Sequence, residues 1–235
     1  MLEKVEKVTA DVVVADRLKA WIISNNLKPG DRLPTEQKLS EELGVARHTL
    51  REGIKRLSQL GIIGSRTGSG MYVKNVSFDI FCEYMRYLKD IGYISFEDVC
   101  QVRRDLESSI AAVAALTITP EEITNLRKLV GKMADCCSCD DFDGYVSCDI
   151  EFHTQIADAA RNNLYSGIVH SLHDVTVNFM STLDRTTMAR SNETHKEIVD
   201  ALENRDSEAA RMKSKEHLEW LRGGEIGRAS CRERV

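Results

Sequence analysis

No stretch of this 235-residue chain comes near the roughly 18 consecutive apolar residues that a membrane-spanning helix needs. The first ten residues, MLEKVEKVTA, also lack the apolar centre of a secretion signal. Together these absences exclude a membrane-spanning helix and lead us to expect a cytoplasmic protein. Internal repeats and low-complexity segments are lacking too, so the chain reads as ordinary globular sequence, with 42% hydrophobic and 29% charged residues. Nothing past residue 78 keeps a strand-like alternation for long, which points the larger part of the chain toward helices.

An excess of positive charge is also missing: the net charge is −5. The sum hides an asymmetry, because residues 1–75 carry +4 and the rest carries −9. A mildly basic first third before an acidic remainder suits a DNA-binding module joined to a part that does not touch DNA. The seven cysteines lack the layout of a structural zinc site. Cys136, Cys137, Cys139 and Cys148 crowd together, whereas such sites use two separated pairs with a folded span between them. Reduced thiols without a metal are the expectation for a chain in a reducing compartment.

The first third has a readable order of elements. Val14, Leu18, Trp21 and Ile22 recur at helical spacing within Val12–Asn25, and Lys28-Pro29-Gly30-Asp31 supplies turn chemistry after them. Arg32-Leu33-Pro34 is an extended connector. Thr35 is a good N-cap for a second helix with Leu39 and Leu43 on its apolar edge, ended by Gly44. A third helix over Ala46–Leu60 puts Leu50, Ile54 and Leu57 on one face and Arg47, His48, Arg51, Lys55 and Arg56 on the other. Two short helices joined through Gly44-Val45 form a helix-turn-helix pattern. Ile62–Ser65 and Met71–Lys74 then read as a small β-hairpin around Arg66-Thr67-Gly68-Ser69-Gly70.

Beyond it, helices are expected over 78–90, 96–117, 120–138, 141–160, 163–185, 191–204 and 206–222, a bundle with short connections. Pro120 after Thr119 marks one helix start, and Asp206 with Glu208 marks another. The expected architecture is mainly α. A winged helix-turn-helix occupies 1–75, an all-α bundle of about seven helices 76–222, and a tail of non-native or disordered character 223–235, where GGEIGRASCRERV has no apolar period.

From Pro29 to Val73, PGDRLPTE, LGVARHTLRE, LSQLGII and GSGMYV occur in an order and spacing that resemble the GntR family of bacterial transcription regulators. The resemblance implies that Gln37, Arg47, Arg51 and the wing residues Arg66, Thr67 and Gly68 contact DNA; Gln37 stands where many members carry Arg. The chemistry agrees. Arg47 and Arg51 are four apart and share a helix face, Arg suits bidentate pairing with guanine, and His48 and Thr49 can meet bases or phosphates. One recognition helix reads too few bases to find a genomic site, so a homodimer on an inverted-repeat operator is expected.

VRRDLESSIAAVAA (Val102–Ala115), DIEFHTQIADAARN (Asp149–Asn162), SNETHKEIVDAL (Ser191–Leu202) and RDSEAARMKSKEHL (Arg205–Leu218) resemble the FCD domain, the effector-binding bundle of the FadR branch of that family. That resemblance implies a divalent metal held by Asp149, His153, His195 and His217. It also implies effector contacts at Arg103, a guanidinium suited to a carboxylate, and at Asn162. One carboxylate with three imidazoles suits zinc first, then nickel, cobalt or manganese. Glu107, one turn from Arg103, can pair with it instead. His170 and His173 lie outside the pattern and read as ordinary helix residues.

The function expected is a regulator, a repressor released by a small carboxylate or sugar acid bound at the metal-containing pocket. The alternatives are a regulator for which the metal itself is the signal, and a metalloenzyme activating water. No further base or nucleophile at convincing spacing supports the enzyme.

Overall fold

The computed structural model describes residues 9–66, 68, 70–75, 78–180 and 185–232. They fall into two compact units, Met1–Ile80 and Phe81–Val235.

In the first unit, helix α1 (Ala10–Ser24) precedes α2 (Glu36–Leu43), α3 (Arg47–Gln59) and a hairpin of β1 (Ile63–Arg66) and β2 (Gly70–Val73). Thr35 caps α2 by accepting the Lys38 N–H at 3.3 Å. Gly44 ends it with φ at 64°, a left-handed conformation that costs glycine little. The turn to α3 is therefore tight and fixed in direction. The strands pair in antiparallel register from Ile63 opposite Val73 to Arg66 opposite Gly70, one residue from the limits expected at each of their four ends.

The connector around Arg32 does more than the sequence suggests. It bridges to Tyr72, and the Leu33 N–H donates to the Met71 carbonyl at 2.9 Å while the Val73 N–H donates to Asp31 at 2.9 Å. The wing is thus tied along one edge to the segment that leads into α2. Val14, Leu18, Ile22, Leu33, Leu39, Leu50, Leu57, Ile63, Met71 and Val73 form the common core. Removing these side chains from water is the main stabilising term for so small a unit.

The second unit consists of α4 (Asp79–Asp90), α5 (Phe96–Thr117), α6 (Pro120–Cys139), α7 (Phe142–Ala159), α8 (Asn163–Met180), α9 (Arg185–Glu203) and α10 (Ser207–Arg232). Ser95 and Asp98 form a capping box at the start of α5, as Thr119 and Glu122 do before Pro120 at α6. α5 packs against α7, α8, α9 and α10, and Ala111, Ala112, Ala114 and Ala115 give it the narrow surface that such close neighbours require.

Three helix limits of this unit differ from expectation by more than one residue. α8 is described to Met180 and α9 already begins at Arg185, the residue expected to close the preceding helix, instead of near residue 191; 181–184 lie outside the described residues. α10 runs on to Arg232, past the end expected near residue 222. Gly223 and Gly224 weaken a helix by about 1 kcal/mol each without forbidding it, and Glu225, Arg228, Ala229 and Arg232 favour it.

The packing of α1 on α3 depends on Gly53. A β-carbon there would lie 2.6 Å from Val14 Cγ1 and 3.2 Å from the Asp11 carbonyl oxygen. Gly53→Ala gains helix propensity but overpacks this contact, so a net loss of about 1–2 kcal/mol in the first unit is expected. Thermal unfolding should show a lower Tm; an unchanged or higher Tm would mean that α1 and α3 are not held this close.

Candidate metal centre and DNA-reading surface

The first unit presents its polar residues on one side of α3. Leu50, Gly53 and Leu57 are buried, which leaves Arg47, His48 and Arg51 exposed from the first turn onward. Thr49 is half-buried, with its hydroxyl 3.1 Å from His48 Nε2. Arg51 is not loose: its Nε donates to Glu36 Oε2 at 2.8 Å, so α2 holds the guanidinium in place. Gln37 is exposed and donates to Glu41 at 3.1 Å. On the wing, the Arg66 guanidinium lies over the Tyr72 ring, 4.8 Å from its centroid, a cation–π contact that orients it. Gly68 is exposed with φ at 79°; Thr67 lies outside the described residues.

In the second unit, three helices bring four polar side chains into one buried layer. α7 supplies Asp149 and His153 one turn apart, α9 supplies His195 and α10 supplies His217, each between 0 and 4% exposed. One ligand-type atom from each lies within 4.8 Å of those of the other three. Asp149 Oδ1 is 3.2 Å from His195 Nε2 and 4.0 Å from His153 Nε2. Phe152 closes one side, its ring 4.6 Å from that of His195.

Orientation comes from the far side of two of the imidazoles. His217 Nδ1 meets the Thr194 hydroxyl at 2.6 Å, and His153 Nδ1 lies 2.8 Å from Glu107 Oε2. Such partners fix which ring nitrogen faces inward. Both Asp149 oxygens and the Nε2 atoms of His153, His195 and His217 are buried without an aligned hydrogen-bond partner. The 3.2 Å approach of His195 to Asp149 is close but out of line. Buried polar atoms are almost always satisfied, so five that converge without partners describe a donor set for a cation.

Electrostatics agree with that reading. Burial, reinforced by the neighbouring imidazoles, holds His217 well below the usual histidine range, and burial lowers His195 as well. Both therefore keep a free lone pair at neutral pH. Burial pushes Asp149 upward, but the adjacent His195 and His153 outweigh it and keep the carboxyl ionised. An anionic carboxylate with neutral imidazoles is the protonation state that binds a divalent transition metal. This donor set fits the metal expected at these residues.

Beside it lies a second buried group. Arg103 Nε donates to Glu107 Oε1 at 2.7 Å, its Nη1 reaches Thr176 Oγ1 at 3.4 Å, and its Nη2 lies 2.9 Å from His173 Nε2. A guanidinium can only donate, so His173 accepts on Nε2 and carries its proton on Nδ1. Burial, with Arg103 adding to it, lowers His173 to about 4, which keeps it neutral. His173 thus departs from the ordinary role expected of it, while His170 is exposed as an ordinary helix residue would be. The available signal was position: His173 and Thr176 are polar residues set among Val169, Leu172 and Val175 on the buried side of α8.

Asn162 is not brought into either group. It is exposed, and its Oδ1 accepts the Leu164 N–H at 3.1 Å at the start of α8, a local turn contact. Among the described residues, no converging set of three metal-type ligands includes Cys136, Cys137, Cys139 or Cys148.

The profile of the bacterial regulatory proteins, gntR family, matches residues 11–73, and that of the FCD domain matches residues 98–219. The chain belongs to the GntR family. As such it is a DNA-binding transcription regulator of the type that joins a GntR head to an FCD domain, and not an enzyme. Among its GntR-type relatives it is 31% identical to the uncharacterised regulator YcbG of Bacillus subtilis, over 94% of this chain and 92% of that one. It is 28% identical to the putative L-lactate dehydrogenase operon regulatory protein of Escherichia coli, over 88% of this chain and 83% of that one. A solved GntR structure from Streptococcus agalactiae covers 90% of this chain and 98% of its own, with a TM-score of 0.69 at 26% identity. No described helix is long and apolar enough to cross a membrane.

Base contacts by the exposed face of α3, expected from the sequence, would have a measurable consequence. Arg47→Ala and Arg51→Ala should each cost about 1–3 kcal/mol on the cognate operator and much less on unrelated DNA. Unchanged operator affinity in both variants would place recognition elsewhere.

Proposed function

We propose that this GntR-family protein is a ligand-responsive regulator, a repressor released when a small carboxylate or sugar acid binds beside a divalent metal in the helical unit. The observation that carries this reading is the convergence of five unpartnered donor atoms from Asp149, His153, His195 and His217 in the bundle core, with a buried guanidinium, Arg103, alongside. Zinc suits one carboxylate and three imidazoles best, with nickel, cobalt or manganese as lesser fits. The metal supplies a Lewis-acid position for an organic oxygen. Arg103 supplies the charge-assisted partner for a carboxylate, and burial keeps competing water out. The name of one relative, which refers to an L-lactate dehydrogenase operon, agrees with a small hydroxy acid as signal.

On the DNA side, Gln37, Arg47, His48, Thr49, Arg51, Arg66, Thr67 and Gly68 form the reading surface, used twice by a homodimer on an inverted repeat. The full burial of all four metal-type residues also suits a regulator whose signal is the metal alone.

Linkage distinguishes these possibilities. If an organic acid regulates DNA binding, its affinity for free protein and for the operator complex must differ by the same factor by which it changes operator affinity. Titrating L-lactate and a panel of sugar acids into the metal-loaded protein, free and on operator DNA, should reveal an acid whose two affinities differ by about 1–3 kcal/mol. If every acid that binds does so equally in both states, the effector reading fails. If operator affinity instead follows metal loading alone, the metal is the signal.

A further inference from the structure

Among the described residues, Glu107 is the one carboxylate shared by the two buried groups. Its Oε1 accepts from Arg103 Nε at 2.7 Å and its Oε2 lies 2.8 Å from His153 Nδ1. The side chain is buried, and Arg103, followed by His153 and His173, outweighs burial to hold it well below the usual carboxylate range. Glu107, His153 and His173 could themselves be read as a second set of metal ligands. That position already has its cation, because the Arg103 guanidinium contacts both Glu107 and His173.

A carboxylate is the only side chain that can accept on both of these oxygens at once. Toward His153, the charge of Oε2 at 2.8 Å from Nδ1 favours the proton on that nitrogen and leaves the Nε2 lone pair facing Asp149, His195 and His217. Toward Arg103, acceptance at Oε1 occupies the bond that an incoming organic carboxylate would make. We propose that Glu107 couples the two halves of this centre. It orients His153 with one oxygen and restrains Arg103 with the other, so that an organic carboxylate reaches Arg103 only by displacing Glu107 from it.

The inference rests on the metal reading above, and Glu107→Gln tests it by a pair of effects of opposite sign. A glutamine can accept through one atom only. The charged guanidinium is the stronger donor, so the amide oxygen turns to Arg103 and the amide NH₂ faces His153 Nδ1. That arrangement favours a proton on His153 Nε2, the atom that should bind metal. Zinc affinity should therefore fall by about 10–100-fold. The guanidinium, no longer neutralised, should bind an external carboxylate more tightly.

The experiment uses the full-length protein in carboxylate-free buffer. Zinc affinity is measured by competition with a chelator, and acetate is titrated calorimetrically into the zinc-saturated protein. The expected result for Glu107→Gln is weaker zinc together with acetate bound roughly fivefold or more tightly than by wild type. A residue that merely stabilised the fold would weaken both. Circular dichroism checks folding, and if Glu107→Gln does not fold, Glu107→Asp replaces it, one methylene too short to span Arg103 and His153 together, with the same opposite-sign expectation. Wild type that takes up no zinc overturns the metal reading and this inference with it. Wild type that takes up zinc, with a variant that matches it in zinc affinity, or that binds acetate equally or less well, overturns the inference alone.

Discussion

An ionised aspartate enclosed by three imidazoles cannot be left without a partner in a helical core. Each unmatched polar atom carries a desolvation cost of about 1–3 kcal/mol, and charged atoms carry more. Much of the second unit can be understood as an answer to that constraint. α7, α9 and α10 must approach closely enough to bring Asp149, His153, His195 and His217 together. α5, against which they pack, presents alanines over its later turns and Arg103 and Glu107 over its earlier ones. Thr194 and Glu107 then stand behind two of the rings. Were the centre only a packed core, apolar side chains in these positions would be as stable or more so. Its polarity instead suits the bound cation proposed for it.

The first unit obeys a different constraint, that of presenting charge without burying it. Its core is wholly apolar, and its arginines are exposed yet not free to wander: Glu36 restrains Arg51 and the Tyr72 ring restrains Arg66. Restraint of this kind lowers the side-chain entropy lost when a base or phosphate is met. The pairing of the Arg32 segment with β2 extends the same logic to the backbone, tying the wing to the start of the helix-turn-helix.

Much of this could be read from residue order, for reasons that are local. Thr35 with Gly44, and Thr119 with Pro120, announce helix limits because capping uses side chains adjacent in sequence. Asp149 and His153 could be paired because four residues make about one turn. His195 and His217 could not be joined to them by spacing at all, since their approach depends on how α9 and α10 pack; a resemblance of pattern supplied them. What the sequence hid was tertiary. His173 has no partner within its own helix, and its role exists only because α8 lies against α5. Asn162 shows the reverse case, in which a local turn satisfies a side chain that pattern alone would send to the pocket. The early start of α9 at Arg185 was hidden because residues 163–190 hold no proline and only one glycine to mark a break.

The central claim is that the converging atoms of α7, α9 and α10 hold a divalent metal. X-ray absorption at the metal edge, recorded on protein purified without chelators, tests it most directly. The account predicts a bound metal with a first shell of nitrogen and oxygen scatterers only, at about 2.0–2.2 Å for zinc, and the outer-shell scattering of several imidazole rings. A spectrum dominated by sulfur, or a protein that carries no metal and takes none up when supplied with it, would contradict it.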